Sequence, residues 1–133
     1  IVSLLSHQIV NLMYGQEYSD AGAILFIHIW TGIFVSLGLV SSLWTTAENL
    51  MPFAFITSAN GAVINIVLNY FLIKSYGGLG AAMASLVAQC VASYFSYLFL
   101  PQTRIIFIQQ TKALVLPSLF KRLLNYTRVF RKK

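Results

Sequence analysis

Three long stretches of the chain, residues 24–44, 53–73 and 79–100, contain no Lys, Arg, Asp or Glu. Crossing a hydrocarbon layer about 30 Å thick takes roughly 20 apolar residues at a rise of 1.5 Å each, and all three runs are long enough. None alternates apolar and polar positions with period two, so the pattern predicts helices and not the strands of a barrel. Residues 1–13 are also apolar, interrupted by Ser3, Ser6, His7, Gln8 and Asn11. That run is too short to span. It has neither an initiator Met nor a basic leader, so it reads as the last turns of a helix whose beginning lies outside this sequence.

The connections are short and carry turn chemistry. Residues 14–23 hold Gly15, Glu17, Tyr18, Asp20 and Gly22, with Asp20 placed to cap the helix that follows. Residues 45–52 hold Glu48 and Asn49, with Pro52 near the next helix start. Residues 74–79 hold Tyr76, Gly77 and Gly78, a turn that permits positive φ. Short loops force neighbouring spans to run antiparallel. The expected fold is therefore an all-α integral membrane protein. Residues 1–100 form an up-down bundle of three full transmembrane helices plus the end of a preceding helix, and residues 101–133 form a basic, amphipathic C-terminal tail.

Composition agrees with this. Apolar and aromatic residues make up 58% of the 133 positions and charged residues 9%, against about 25% charged in soluble domains. Disorder is excluded by the high hydrophobicity. One cysteine, Cys90, excludes an internal disulfide framework and a Cys-based zinc site. The net charge of +6 is concentrated at one end: eight of the nine basic residues follow Thr103, and no acid follows Glu48. A basic tail behind an apolar body points to a cytoplasmic, membrane-facing segment and not to nucleic acid. The positive-inside bias then places the C-terminus in the cytoplasm and the loops at 14–23 and 74–79 outside. Within the tail, Leu119, Phe120, Leu123, Thr127 and Phe130 share one helical face, and Lys121, Asn125, Arg128 and Lys132 another. That pattern predicts a helix lying in the membrane interface.

Some faces are built to pack and some to do chemistry. Ala81, Ala84, Ser85, Ala88 and Ala92 form a stripe of small residues of the kind that lets helices approach in lipid. Ser58, Gly61, Ala62, Asn65 and Asn69 form a second stripe. Two asparagines in hydrocarbon need partners, and they find them either between helices or in a polar cavity. His28 lies about one turn into the first span, and an ionisable group there is a functional candidate. Gln89, beside Cys90, is a packing or interhelical bonding candidate, while Trp44, Tyr76 and Tyr97 are placed as interfacial anchors. Enzymatic chemistry has no support: there is no HExxH, no paired aspartate in a span, no Ser–His–Asp arrangement and no phosphate loop. No metal site or cofactor is expected.

The run NGAVINIVLNYFLIKSYGGLGAAMASLVAQ, from Asn60 to Gln89, resembles the C-terminal half of bacterial polysaccharide exporters. These are the O-antigen and related flippases of the multidrug, oligosaccharidyl-lipid and polysaccharide exporter superfamily. The run LMYGQEYSDAGAIL, from Leu12 to Leu25, resembles a second landmark of that family, a Tyr-Gly-acidic-Tyr loop before a span. The family often has proline where Lys74 stands, and its loop before the Asn-rich span is commonly basic where this one has Glu48. The resemblance implies a bacterial inner-membrane protein of about twelve or more spans, of which this chain supplies the C-terminal fragment. Its partners would be membrane lipid, the missing N-terminal helices and an undecaprenyl-diphosphate-linked oligosaccharide moved by alternating access. Cations that meet the diphosphate would come from the missing part, since no span here contains one. Asn65, Asn69 and His28 would be the substrate-side residues. Two alternatives stand beside this: a truncated remnant or structural membrane subunit without transport of its own, and a drug exporter of the same superfamily.

Overall fold

A computed structural model of the protein describes residue 2 and residues 5–99 and 101–114. Among these residues the structure is helical throughout, with no strand. In chain order the elements are α1 (Ser6–Tyr14), a single 3-10 turn (Gln16–Tyr18), α2 (Ser19–Ala47) and α3 (Met51–Cys90). A π-helical turn (Val91–Phe95), the short α4 (Ser96–Phe99) and α5 (Arg104–Leu114) follow. The chain divides into two compact units, Ile1–Ser96 and Tyr97–Lys133. The amphipathic tail pattern over Leu119, Phe120, Leu123, Thr127 and Phe130 lies outside the described residues.

In the first unit, α1 ends at Gly15, which adopts φ 87° and bonds through its N–H to the Asn11 carbonyl. It packs on the start of α2 where a methyl group at Gly22 would run into His7. Asp20 was expected to cap α2. Instead the cap position is Tyr18, without a side-chain cap bond, and Asp20 sits inside the first turn. There its charge favours the helix N-terminus through the macrodipole alone.

The α2–α3 connection is a Schellman motif. Asn49 takes the left-handed position at φ 57°. Its N–H bonds the Thr46 carbonyl at 3.2 Å, and the Leu50 N–H bonds the Thr45 carbonyl at 2.7 Å. Asparagine serves here because, after glycine, it tolerates this region best. Pro52 then sits in the first turn of α3, where its missing N–H costs nothing.

Helical structure continues across residues 74–79, where the sequence predicts a loop. Only Gly77 leaves helical geometry, at φ 55° and ψ −133°. That one residue turns the chain back on itself. Asn65 Nδ2 lies 3.3 Å from Ser85 Oγ, a pair that would be about 30 Å apart along a straight helix. A methyl group at Gly61 would lie 2.7 Å from the Ala92 Cβ, and one at Gly80 would collide with the Leu72 carbonyl. All three pairs are centred close to residue 76, so the arms before and after Gly77 pair as an antiparallel helical hairpin. On the arm after Gly77, Gly78 meets Ile24 of α2 and Ser93 meets Gly38 of α2. Both partners advance in the same direction, so α2 and that arm run parallel.

The packing is inverted relative to a water-soluble protein. Beyond α1, buried positions in this unit are small or carry hydroxyls, among them Ala82, Ala84, Ala88, Thr31, Ser41, Thr45, Thr57 and Ser93. The large apolar side chains point outward, with Leu43 at 74%, Phe55 at 75% and Ile66 at 68% exposure. The buried hydroxyls need no water, because they bond back along their own helices: Thr31 to the Ile27 carbonyl, Ser41 to Leu37 and Thr57 to Ala54. In the apolar windows of the two long helices only 6% and 11% of positions are buried. The core helix of a soluble protein would be mostly covered. Two long apolar helices with outward-facing apolar side chains, held together by close approach of small residues, are consistent with a helical membrane protein.

In the second unit, Thr103 Oγ1 donates to the Tyr97 carbonyl at 3.1 Å and Arg104 Nε donates to the Leu98 carbonyl at 3.1 Å. Ile106 and Gln110 form the buried side of α5.

Candidate functional site

The most polar feature inside the apolar body is a hydrogen-bonded chain across the hairpin. Asn69 Nδ2 donates to Asn65 Oδ1 at 2.8 Å, and Asn65 Nδ2 donates to Ser85 Oγ at 3.3 Å. The first bond joins successive turns of one arm and the second joins the two arms. Asn69 Oδ1 is buried and has no partner among the described residues. A carbonyl oxygen in that state holds unused acceptor capacity, which a hydroxyl, an amide or a water would satisfy. The structure thus brings Asn65 and Asn69 together with Ser85 from the small-residue stripe.

Other sequence candidates fall elsewhere. Ser58 and Ala62, expected on the same stripe as the asparagines, are exposed, while Thr57 and Gly61 are the buried positions of that arm. The contact with the second arm is centred on Gly61, which rotates Ser58 and Ala62 off the shared face. Ala84 and Ala88 are buried, Ala81 and Ala92 are half-buried, and Ala92 is the residue that meets Gly61. His28 projects from α2 with an exposed imidazole and has no hydrogen bond to either asparagine. Gln89 Nε2 donates to Ser93 Oγ at 2.7 Å, beside Gly38 of α2. Trp44 is half-buried and Tyr76 exposed, but Tyr97 is buried, with 3% of its surface accessible, so it is no exposed interfacial ring.

A groove of about 400 Å³ opens between α2 and the arm after Gly77, lined by Trp30, Phe34, Leu86, Val87, Cys90, Val91 and Phe95. No polar atom lines it. Val91 and Phe95 of the π-helical turn line it, and Ser96 Oγ donates to the Val91 carbonyl five residues back, at 2.8 Å. The sequence reading did not find this groove. Its signal was the Trp30–Phe34 pair one turn apart on α2, a spacing equally suited to lipid contact. Among the described residues no group of His, Cys, Asp or Glu is placed to hold a metal ion.

No family model matches the chain, and no solved structure matches it. Among curated proteins the chain is similar to the probable low-salt glycan biosynthesis flippase Agl15 of Haloferax volcanii, with 28% identity over 90 residues. Those residues are 68% of this chain and 19% of that protein. The chain therefore spans about a fifth of the length of the curated relative it matches.

Proposed function

We propose that this chain is the C-terminal part of a lipid-linked oligosaccharide flippase. It would make and break no covalent bond, and would help carry a membrane-anchored sugar between leaflets by alternating access. The similarity to a glycan biosynthesis flippase carries the reading, and the inverted packing of α2 and α3 supports the membrane setting. The two arms of α3 are taken as two separate crossings. At 49 residues, Met51–Phe99 would be about 73 Å long if straight, more than twice a bilayer core. With α2 this would make three spans, and the positive-inside bias of the basic tail favours a C-terminus on the cytoplasmic side of a bacterial inner membrane.

In this reading Asn65 and Asn69 supply neutral hydrogen-bonding groups for sugar hydroxyls, with the spare acceptor of Asn69 the first contact. His28 is the second candidate, since its imidazole is free to meet a group outside the described residues. The charged contacts to a diphosphate come from the rest of the protein, because the only cation of the described spans, Lys74, sits beside the Gly77 turn. An acid inside a span would favour an exporter of organic cations, and α2 beyond its first turn and α3 contain none.

The test is transport of a fluorescent polyprenyl-diphosphate oligosaccharide by the complete protein in vesicles. Asn69→Ala and Asn65→Ala should each lower the rate about tenfold, the size of one lost neutral hydrogen bond, with normal insertion. His28→Ala should lower the rate as well. Unchanged rates for both asparagine variants would remove the assigned residues. No movement of any lipid-linked sugar by the intact protein would remove the function itself.

A further inference from the structure

The arm of α3 after Gly77 is regular as far as Cys90 and then enters the π-helical turn at Val91–Phe95. Such a turn holds one residue more than an α turn. It is the rarer winding, and inside helices it recurs at functional sites. Its register is set at Ser96, whose backbone N–H and hydroxyl both bond the Val91 carbonyl five residues back, the hydroxyl at 2.8 Å. Hydroxyls in the regular helices, such as Thr31, Ser41 and Thr57, reach back only three or four residues. In an α winding the Ser96 N–H would take the Ala92 carbonyl instead. The same residues therefore have a second way to close the turn.

The neighbours decide which part of the turn is fixed. Ala92 Cβ lies 2.7 Å from where a methyl group at Gly61 would stand, and Ser93 Oγ lies 2.6 Å from the same point at Gly38. Ser93 Oγ also accepts from Gln89 Nε2 at 2.7 Å. These contacts clamp the arm, as far as Ser93, between the arm before Gly77 and α2. Phe95, two residues on, is 45% exposed and lines the groove beside α2. Rewinding that moved Ala92 or Ser93 would run into a neighbouring helix, whereas rewinding that moves Phe95 meets open space.

We infer that Val91–Phe95 is a register switch with its pivot at Ser93. In the observed setting Ser96 bonds Val91, and Phe95 lines the groove together with Trp30 and Phe34. In the other setting the helix after Ser93 winds as α, Ser96 bonds Ala92, and the Phe95 ring swings round the helix axis and reshapes the groove. One residue of register is about 100° of rotation, enough to take the ring off its present wall. Packed helices change shape in such discrete steps and not continuously. The switch stands on the packing alone and holds whatever the protein transports.

Tyr94 is the residue whose removal tests it. Without Tyr94 the bond from Ser96 to Val91 spans four residues, so the turn becomes α with Ser96 kept in place, and the second setting is lost. The probe is trifluoromethylphenylalanine in place of Phe95, read by fluorine NMR of the complete protein in lipid nanodiscs. The native sequence should give two resonances, or one broadened by exchange. Deletion of Tyr94 should leave one sharp resonance. So should Val87→Trp, which fills the groove one turn before Val91 and blocks the path of the ring. One sharp resonance in the native sequence would overturn the switch, and so would two that persist in either variant. Reversible unfolding in mixed detergent micelles checks the register separately. Deleting Tyr94 should be far milder than deleting Ala88, which turns the residues at the Gly61 and Gly38 contacts away by about 100°. Equal losses would mean that the turn holds no extra residue, and would overturn the inference as well.

Discussion

Gly61 and Ala92 set the closest approach between the two arms of α3, with 2.7 Å from the Ala92 Cβ to where a methyl group at Gly61 would stand. Real carbon atoms do not approach that closely, so Gly61→Ala forces the arms apart. Overpacking of this kind costs about 1–3 kcal/mol. Adding Ala92→Gly returns the lost space, so the double variant should recover at least half of the loss. Reversible unfolding in mixed detergent micelles measures both. If the double variant is as unstable as the single one, the two residues are not in contact. At this scale the sequence was informative in part. The stripe of small residues named Ala84, Ala88 and Ala92, and the cost of amides in hydrocarbon marked Asn65 and Asn69. It did not separate Gly61 from Ser58 and Ala62, because residues three and four apart all lie within one broad helical face. Only the partner's position decides which of them is covered.

Among the elements, the two turns show what was legible and what was not. The α2–α3 turn was visible as Glu48, Asn49 and Pro52, and the structure gives each residue a role in ending or starting a helix. The turn at 74–79 was visible as a pair of glycines, but composition could not say that a single residue would make the reversal. Gly77 does so at φ 55° and ψ −133°, a combination open only to glycine. Gly77→Ala should therefore destabilise the hairpin by about 1–3 kcal/mol. Gly78→Ala should cost less, because its new methyl group would meet only the mobile end of Ile24, at 3.1 Å. Reversible unfolding in mixed detergent micelles reads both, and an equal loss in the two variants would contradict the assignment of the turn to Gly77. The π-helical turn at Val91–Phe95 had no sequence signal. It is one extra residue in a helix, and no residue type is specific to it.

For the whole molecule, outward-facing Leu43, Phe55 and Ile66 suit an apolar medium, and in the proposed reading the reversal at Gly77 carries the chain across that medium again. The apolar runs made the medium legible from the sequence alone. The paired positions on the hairpin fix the direction of each arm, which periodicity does not. The claim that the two arms of α3 are separate crossings places Glu48 and Tyr76 on opposite faces of the membrane. Labelling by a membrane-impermeant maleimide tests it most directly, with Glu48→Cys and Tyr76→Cys each introduced singly into the Cys90→Ala protein. Tyr76→Cys should react in intact cells, and Glu48→Cys only after the membrane is opened. Reaction of both positions from the same side would contradict the three-crossing topology and the account built on it.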